Sequence, residues 1–312
     1  MGVPPSDIGG LRAFNLTVKE LHMPEGGVLA AMVTPFGPHG ELWLDPLPDY
    51  LAFLKQGGLS GVVVAGTNGE GTSLSVDERK RLLEAVLRSA HGLRVIASTG
   101  AASLTDALDL TRHAGALGVE ATLALPPFFF KQPPDQGVAS YFRQLLDASD
   151  VPLLLYNIPQ FSGVDVAHAV LEAVRDHPRL GGIKDSTGDW PTTGALLASA
   201  KGLAVYPGND ALLFRARQAG ASGAISGTAN ALPELVSAVF KAATDAEAEK
   251  AQQRLDAVRE VLGARPLIAA NKAILAARGL PFMRVRPPLC DMTSTEAADL
   301  TRTLAALGAW SA

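Results

Sequence analysis

The segment "GGIKDSTGD" sets Lys184 at the end of an apolar, glycine-rich run, with only Asp185 beside it to answer its charge. A lysine at its ordinary pKa of about 10.4 is neutral in about one molecule in 2,500 at pH 7, too few to attack a carbonyl efficiently. Burial lowers such a pKa by about three units, at roughly 4 kcal/mol, and the freed amine can form a Schiff base with a keto substrate. The iminium is then an electron sink that stabilises a carbanion on the neighbouring carbon. Two plainer readings compete with this one on equal terms. One is a buried Lys184–Asp185 ion pair, and the other is a lysine that snorkels to the rim.

A Schiff-base lysine needs a proton shuttle, because carbinolamine dehydration and enamine formation both move protons. Tyr156, near the end of the preceding apolar run "PLLLYNI", is the nearest hydroxyl of suitable type, although in isolation it reads as a core tyrosine bonded to backbone. The loop "GTNGEGTSLS" clusters backbone N–H groups ahead of a helix N-terminus and so suits a small carboxylate. Glycines at 66, 69 and 71 permit its turns, and a simple tight turn is the competing reading.

These residues need elements to hold them. From Val28 onward, short β-prone runs ("VLAAMVTPF", "GVVVAGT", "RVIAST", "EATLALPP", "PLLLYNI", "GGIKDS", "LAVYPGN", "GAISGTA") alternate with amphipathic stretches. Ser75 and Glu78 form a capping box ahead of Leu82, Leu83, Val86 and Leu87, and Gly92 stops that helix. Looser helical patterns cover 104–117, 136–148, 166–176, 192–201 and 210–219. Eight strand–helix cycles, spaced by roughly 25 to 30 residues, predict a (β/α)8 TIM barrel. An arm over 1–27 precedes it, the barrel runs over 28–231, and barrel-closing and C-terminal helices over 232–312 form an appendage. The stretch 232–262 reads as one helix.

Catalytic groups of such a barrel lie at the C-terminal ends of its strands. Those positions hold Thr34, the Thr67–Glu70 loop, Ser98 and Thr99, Tyr156 and Asn157, Lys184 and Asp185, Gly208, Asn209 and Asp210, and Ser226, Gly227 and Thr228. None of the six histidines falls there, and none is spaced to share a metal with another. A metal centre and a His-based acyl-transfer triad are therefore not expected. The single cysteine, Cys290, excludes an internal disulfide and points to a reducing, cytoplasmic compartment. A net charge of -4 with intermixed signs gives no stripe for nucleic acid and no polybasic patch for a membrane. The N-terminus lacks a signal-peptide apolar core, and no later run reaches the roughly 18 apolar residues that span a bilayer.

With "GTNGEGTSLSVDER", "LLLYNIPQFSG", "GGIKDSTGD" and "GAISGTAN" in this order and spacing, the chain from about Val28 to about Leu307 resembles the dihydrodipicolinate synthase/N-acetylneuraminate lyase family of pyruvate-dependent class I aldolases. The resemblance implies that Lys184 forms the Schiff base with pyruvate or another 2-oxo acid and that Tyr156 relays protons. It implies that Thr67 and Asn68 bind the pyruvate carboxylate and that Ile225 lines the same pocket. Gly208, Asn209, Asp210, Ser226 and Gly227 become candidate contacts to the variable end of the substrate. It further implies a homotetramer built from tight dimers, with no metal and no organic cofactor.

The departures bear on the second substrate. Where the family's synthases carry an arginine for the semialdehyde carboxylate, this chain reads Gln160-Phe161-Ser162. The loop "PPFFFKQPP" holds Phe128, Phe129 and Phe130 where those synthases place a tyrosine contributed across the dimer, and phenylalanine passes no proton. Val76 and Arg79 replace histidines of the lysine-feedback site, and Ala211 replaces a glutamate of sialic-acid lyases. The expected activity is an aldolase or lyase acting on a 2-keto-3-deoxy sugar acid or 4-hydroxy-2-oxo acid, joined to or split into pyruvate and an aldehyde. Condensation of pyruvate with aspartate semialdehyde, a dehydratase or hydratase outcome, and a non-catalytic sugar-acid-binding barrel are the alternatives.

Overall fold

In the computed structural model, which describes residues 23, 26–263 and 265–310, the eight expected runs are eight parallel strands. They are β1 (Val28–Ala31), β2 (Gly61–Val64), β3 (Arg94–Ser98), β4 (Ala121–Ala124), β5 (Leu153–Asn157), β6 (Leu180–Asp185), β7 (Ala204–Pro207) and β8 (Ala224–Ser226). The order β7-β6-β5-β4-β3-β2-β1-β8 is that of a TIM barrel. Its seam is closed by a Ser222 N–H donating to the Val205 carbonyl at 3.0 Å. Apart from residues 23, 26 and 27, the expected N-terminal arm lies outside the described residues.

Strands covered on both faces are mostly apolar, and β1, β2, β4 and β5 are buried at every position. Leu29, Val63, Ile96, Leu123, Leu154, Tyr156, Tyr206 and Ile225 fill the barrel interior as one cluster. Leu153, Leu155, Ile183 and Val205 face the surrounding helices instead. Because side chains alternate along a strand, an outward Ile183 turns Lys184 inward and Asp185 outward.

The helices of the barrel are α1 (Leu47–Gln56), α2 (Val76–Arg88), α3 (Leu104–Ala116), α4 (Asp135–Ala148), α5 (Pro159–Ser162), α6 (Ala169–Val174), α7 (Trp190–Ala198) and α8 (Leu213–Gln218). The Ser75/Glu78 capping box opens α2 as expected. The helix expected over 166–176 starts later, at Ala169. Asn157 Oδ1 accepts from the Val166 N–H and Asp165 Oδ1 from the Ala167 N–H, which holds that segment in a loop.

After the barrel come α9 (Pro233–Lys241), α10 (Asp245–Gly263), α11 (Leu267–Ala277) and α12 (Ser294–Ala306). The single helix expected over 232–262 is thus two. Glu247 Oε2 accepts from the Ala243 and Thr244 N–H groups while Thr244 Oγ1 accepts from Glu247 N–H, a capping arrangement that starts a new helix. The appendage also reaches the barrel mouth, where Asn271 Nδ2 of α11 donates to the Gly227 carbonyl at 3.0 Å. No described helix is long and apolar enough to cross a membrane.

Candidate active site

Two lysines are buried among the described residues, and their surroundings differ in kind. Lys272, on α11, holds its ammonium 2.7 Å from a carboxylate oxygen of Glu70, with both side chains 1% exposed. Lys184 is 4% exposed, and among the described residues no carboxylate lies within ion-pair distance of it. Its ammonium instead sits 4.1 Å from the centroid of the Tyr156 ring, directly across the β5–β6 ladder. The Tyr156 hydroxyl lies 3.4 Å from Thr67 Oγ1. Burial alone raises a phenol's pKa. Here the Lys184 charge and hydrogen bonds with Thr67, Ser186 and Lys184 outweigh it, so the Tyr156 phenol is held below its ordinary value.

Asp185 does not answer the Lys184 charge. Its carboxylate accepts from Asn157 Nδ2 at 3.0 Å, Thr187 Oγ1 at 2.8 Å and Thr193 Oγ1 at 2.5 Å, all outside the barrel. The ladder pairs Tyr156 with Lys184 on the inside and Asn157 with Asp185 on the outside. The outer polar pair therefore pins the register that puts the inner pair in contact.

The loop after β2 is strained and braced. Ala65 and Glu70 both have left-handed backbones, with φ of 56° and 53°. Gly71 packs so closely on this loop that a Cβ there would lie 2.0 Å from the Ala65 carbonyl oxygen. Thr34 Oγ1 donates to the Gly69 carbonyl at 2.5 Å. Glu70 accepts from Lys272 and, at 2.8 Å, from the Arg286 N–H. Arg286 itself reaches the Ser73 carbonyl and pairs with Glu78. Thus the appendage fixes the loop that carries Thr67 and Asn68. Breaking a buried pair by removing one partner costs about 3–5 kcal/mol. The variant Lys272→Met is expected to lose about that much in urea unfolding, and the double variant Lys272→Met/Glu70→Gln to lose less, because no buried charge is then left alone.

The remaining expected site residues divide into two groups. Ile225 is fully buried in the interior cluster with Tyr156. Asn68 packs on Gly227, where a Cβ would come within 3.0 Å of its amide nitrogen. Gly208 lies against the lysine, because a Cβ there would lie 2.9 Å from Lys184 Cε and 2.0 Å from Ser186 Oγ. Asn209, Asp210 and Ser226 instead brace loops. Asn209 Oδ1 accepts from Ala211 N–H and from Arg259, the Ser226 hydroxyl accepts from Ala229 N–H, and the Asp210 carboxylate is buried with Oδ1 unpartnered among the described residues. Burial raises the Asp210 carboxyl above its ordinary value, against the opposing influence of Thr228, Ser226 and Arg259. In Gly208→Ala, displacement of Lys184 is expected to slow pyruvate adduct formation by about 10²-fold with little change in melting temperature.

Ser186, Lys272 and Arg286 were not foreseen as parts of the site. Only the apolar flanks of Lys272 in "LIAANKAIL" hint at its burial. Arg79 is buried too, with its guanidinium donating to the Ser98 and Gly100 carbonyls and its pKa lowered by burial to about 10.

The sequence model of the Dihydrodipicolinate synthetase family matches residues 24–307, nearly the whole described chain. The chain belongs to this family. Members of the dihydrodipicolinate synthetase family include class I aldolases and lyases on this barrel. The chain is 42% identical over 284 residues to an uncharacterized DapA-like lyase of Chloroflexus aurantiacus, covering 88% of this chain and 94% of that one. A dihydrodipicolinate synthase of Acinetobacter baumannii, solved in complex with pyruvate, superposes with a TM-score of 0.84 at 29% identity, over 91% of this chain and 99% of that one. A Ruminococcus gnavus sialic acid aldolase, solved as a catalytic lysine mutant, gives 0.84 at 28% identity, over 91% and 96%. The family thus spans carbon–carbon bond formation and cleavage.

Proposed function

We propose that the protein is a Schiff-base aldolase that cleaves a 4-hydroxy-2-oxo acid or 2-keto-3-deoxy sugar acid into pyruvate and an aldehyde, or joins them. The observation that carries this is a buried Lys184 with no carboxylate partner among the described residues, in contact with a tyrosine whose phenol is easier to ionise than usual. A structural lysine at that depth would need the kind of counter-charge that Lys272 has.

In this reading the Lys184 amine adds to the C2 carbonyl of the 2-oxo acid, and loss of water leaves an iminium. Tyr156 takes the proton of the C4 hydroxyl, the C3–C4 bond breaks, and its electron pair moves into the iminium to give an enamine while the aldehyde departs. Protonation of the enamine carbon and hydrolysis then release pyruvate and restore the lysine. Thr67 and Asn68 hold the substrate carboxylate through their loop's N–H groups. Gly208 leaves the lysine room, and Ile225 walls the pocket. Asn209, Asp210, Ser226 and Gly227 act on the variable end by setting the loops around it. The pyruvate complex of the Acinetobacter relative supports pyruvate as the 2-oxo partner. The assembly we propose is the homotetramer of the family, acting in the cytoplasm, and light scattering at a mass of four chains tests the first part.

Lactate dehydrogenase-coupled assays of pyruvate release from 4-hydroxy-2-oxo acids and 2-keto-3-deoxy sugar acids, run beside condensation with aspartate semialdehyde, test the reaction. Pyruvate release supports the aldolase. Turnover with aspartate semialdehyde alone makes the protein a dihydrodipicolinate synthase and overturns it.

A further inference from the structure

Lys272 and Glu70 form a buried ion pair at 2.7 Å, within one chain and against the loop that follows β2. A buried ion pair is often no more stabilising than apolar side chains of the same volume, so stability alone does not account for it. What apolar groups cannot supply is direction. Both carboxylate oxygens of Glu70 are held, Oε1 by Lys272 Nζ and Oε2 by the Arg286 N–H at 2.8 Å. Lys272 is itself fixed by a second bond, to the Arg284 carbonyl at 2.5 Å. The residue so gripped has a left-handed backbone with φ of 53°, which a glutamate keeps only where its surroundings impose it.

That grip reaches the loop directly. The Glu70 N–H donates to the Thr67 carbonyl at 3.1 Å and closes the turn over 67–70, which carries Thr67 and Asn68. A second hold comes from the next position on α11. Asn271 Nδ2 donates to the Gly227 carbonyl at 3.0 Å, and a Cβ on Gly227 would come within 3.0 Å of both Asn68 Nδ2 and Leu267 Cδ2. Neighbouring residues of one helix thus hold the loops after β2 and β8 where they meet at Asn68. Lys184 and Tyr156 are set instead by the β5–β6 ladder.

We infer that Lys272 and Asn271 are positioning residues for recognition of the substrate carboxylate: through Glu70 and Gly227, α11 holds the Thr67 and Asn68 loop in the arrangement that receives it. This rests on the Schiff-base reading above. A cradle displaced by about 1 Å can cost about 10²-fold, and the loss falls on substrates that use the cradle. A ketone without a carboxylate does not use it, so its capture by Lys184 is indifferent to α11.

The test is borohydride trapping on the full chain, comparing pyruvate with acetone, a ketone that has no carboxylate. In both cases the Lys184 amine adds to the carbonyl carbon, water leaves, and hydride reduces the iminium to a secondary amine. Lys272→Met/Glu70→Gln removes the pair without stranding a charge, and Asn271→Ala removes the hydrogen bond to Gly227. The expected result for the double variant is a half-saturating pyruvate concentration raised about tenfold, a limiting rate within about twofold of wild type, and unchanged trapping of acetone. Asn271→Ala shifts pyruvate the same way by about threefold, and it decides by the same criteria if the double variant does not fold. A merely structural role lowers trapping of both ketones together, and that result overturns the inference. So does an unchanged half-saturating pyruvate concentration in both variants. Absence of trapping with either ketone in the wild-type chain overturns the Schiff-base reading along with it.

Discussion

Lys184→Met is expected to lower turnover by at least about 10⁴-fold, because the variant has no nucleophile and no electron sink, while its far-UV spectrum is unchanged. Its stability should hold or rise. Lys184 has no carboxylate partner among the described residues, so its removal strands no buried counter-charge, and methionine fills a similar volume. The same change at Lys272 strands Glu70 and costs several kcal/mol. Opposite stability responses at two equally buried lysines separate a site lysine from a structural one, and urea unfolding of the two variants reads it directly. A Lys184→Met chain that keeps turnover, or that unfolds as readily as Lys272→Met, contradicts the assignment.

Tyr156→Phe is expected to lower turnover by about 10²–10⁴-fold, the contribution of a positioned proton donor and acceptor. Its ionisation can be followed without any substrate. The chain has four tyrosines, and burial raises the phenols of Tyr50, Tyr141 and Tyr206, that of Tyr141 to about 12. Tyr156 alone is lowered, so the first phase of tyrosinate absorbance on raising the pH should be one residue, below pH 10, and absent in Tyr156→Phe. The sign in Lys184→Met follows from the causes. Desolvation, the largest influence on this phenol, remains, while the neighbouring cation and its hydrogen bond are gone. The Tyr156 phase then moves up toward the other three. A first phase that persists in Tyr156→Phe excludes this account of the site's electrostatics.

The barrel was readable because each strand is a short, mostly apolar run with a turn signal on either side, and the start of α2 carries the Ser75 and Glu78 capping box. The inward pointing of Lys184 and Tyr156 follows from strand alternation. What sets Lys184 apart from an ion-paired lysine did not, since Asp185 adjoins it in sequence yet faces the opposite side of the sheet. Long-range pairings were also hidden. Glu70 and Lys272 meet across 202 residues, and nothing in "LIAANKAIL" says that its lysine is buried against a loop behind β2. The break between α9 and α10 turned on the Thr244–Glu247 hydrogen bonds, which a continuous helical pattern concealed. The bonding of Asn209 and Ser226 depended on partners such as Arg259 of α10 and the Ala229 N–H, which strand-end position alone cannot supply.

The central claim is that Lys184 forms a covalent imine with a 2-oxo acid. Incubation of the full chain with pyruvate and sodium borohydride, followed by peptide mass spectrometry, tests it most directly. A reduced pyruvate adduct on the peptide containing Lys184, formed only when pyruvate is present and lost in Lys184→Met, is the result expected. An unmodified Lys184 in the wild-type chain, or an adduct on Lys272 or a surface lysine instead, contradicts it.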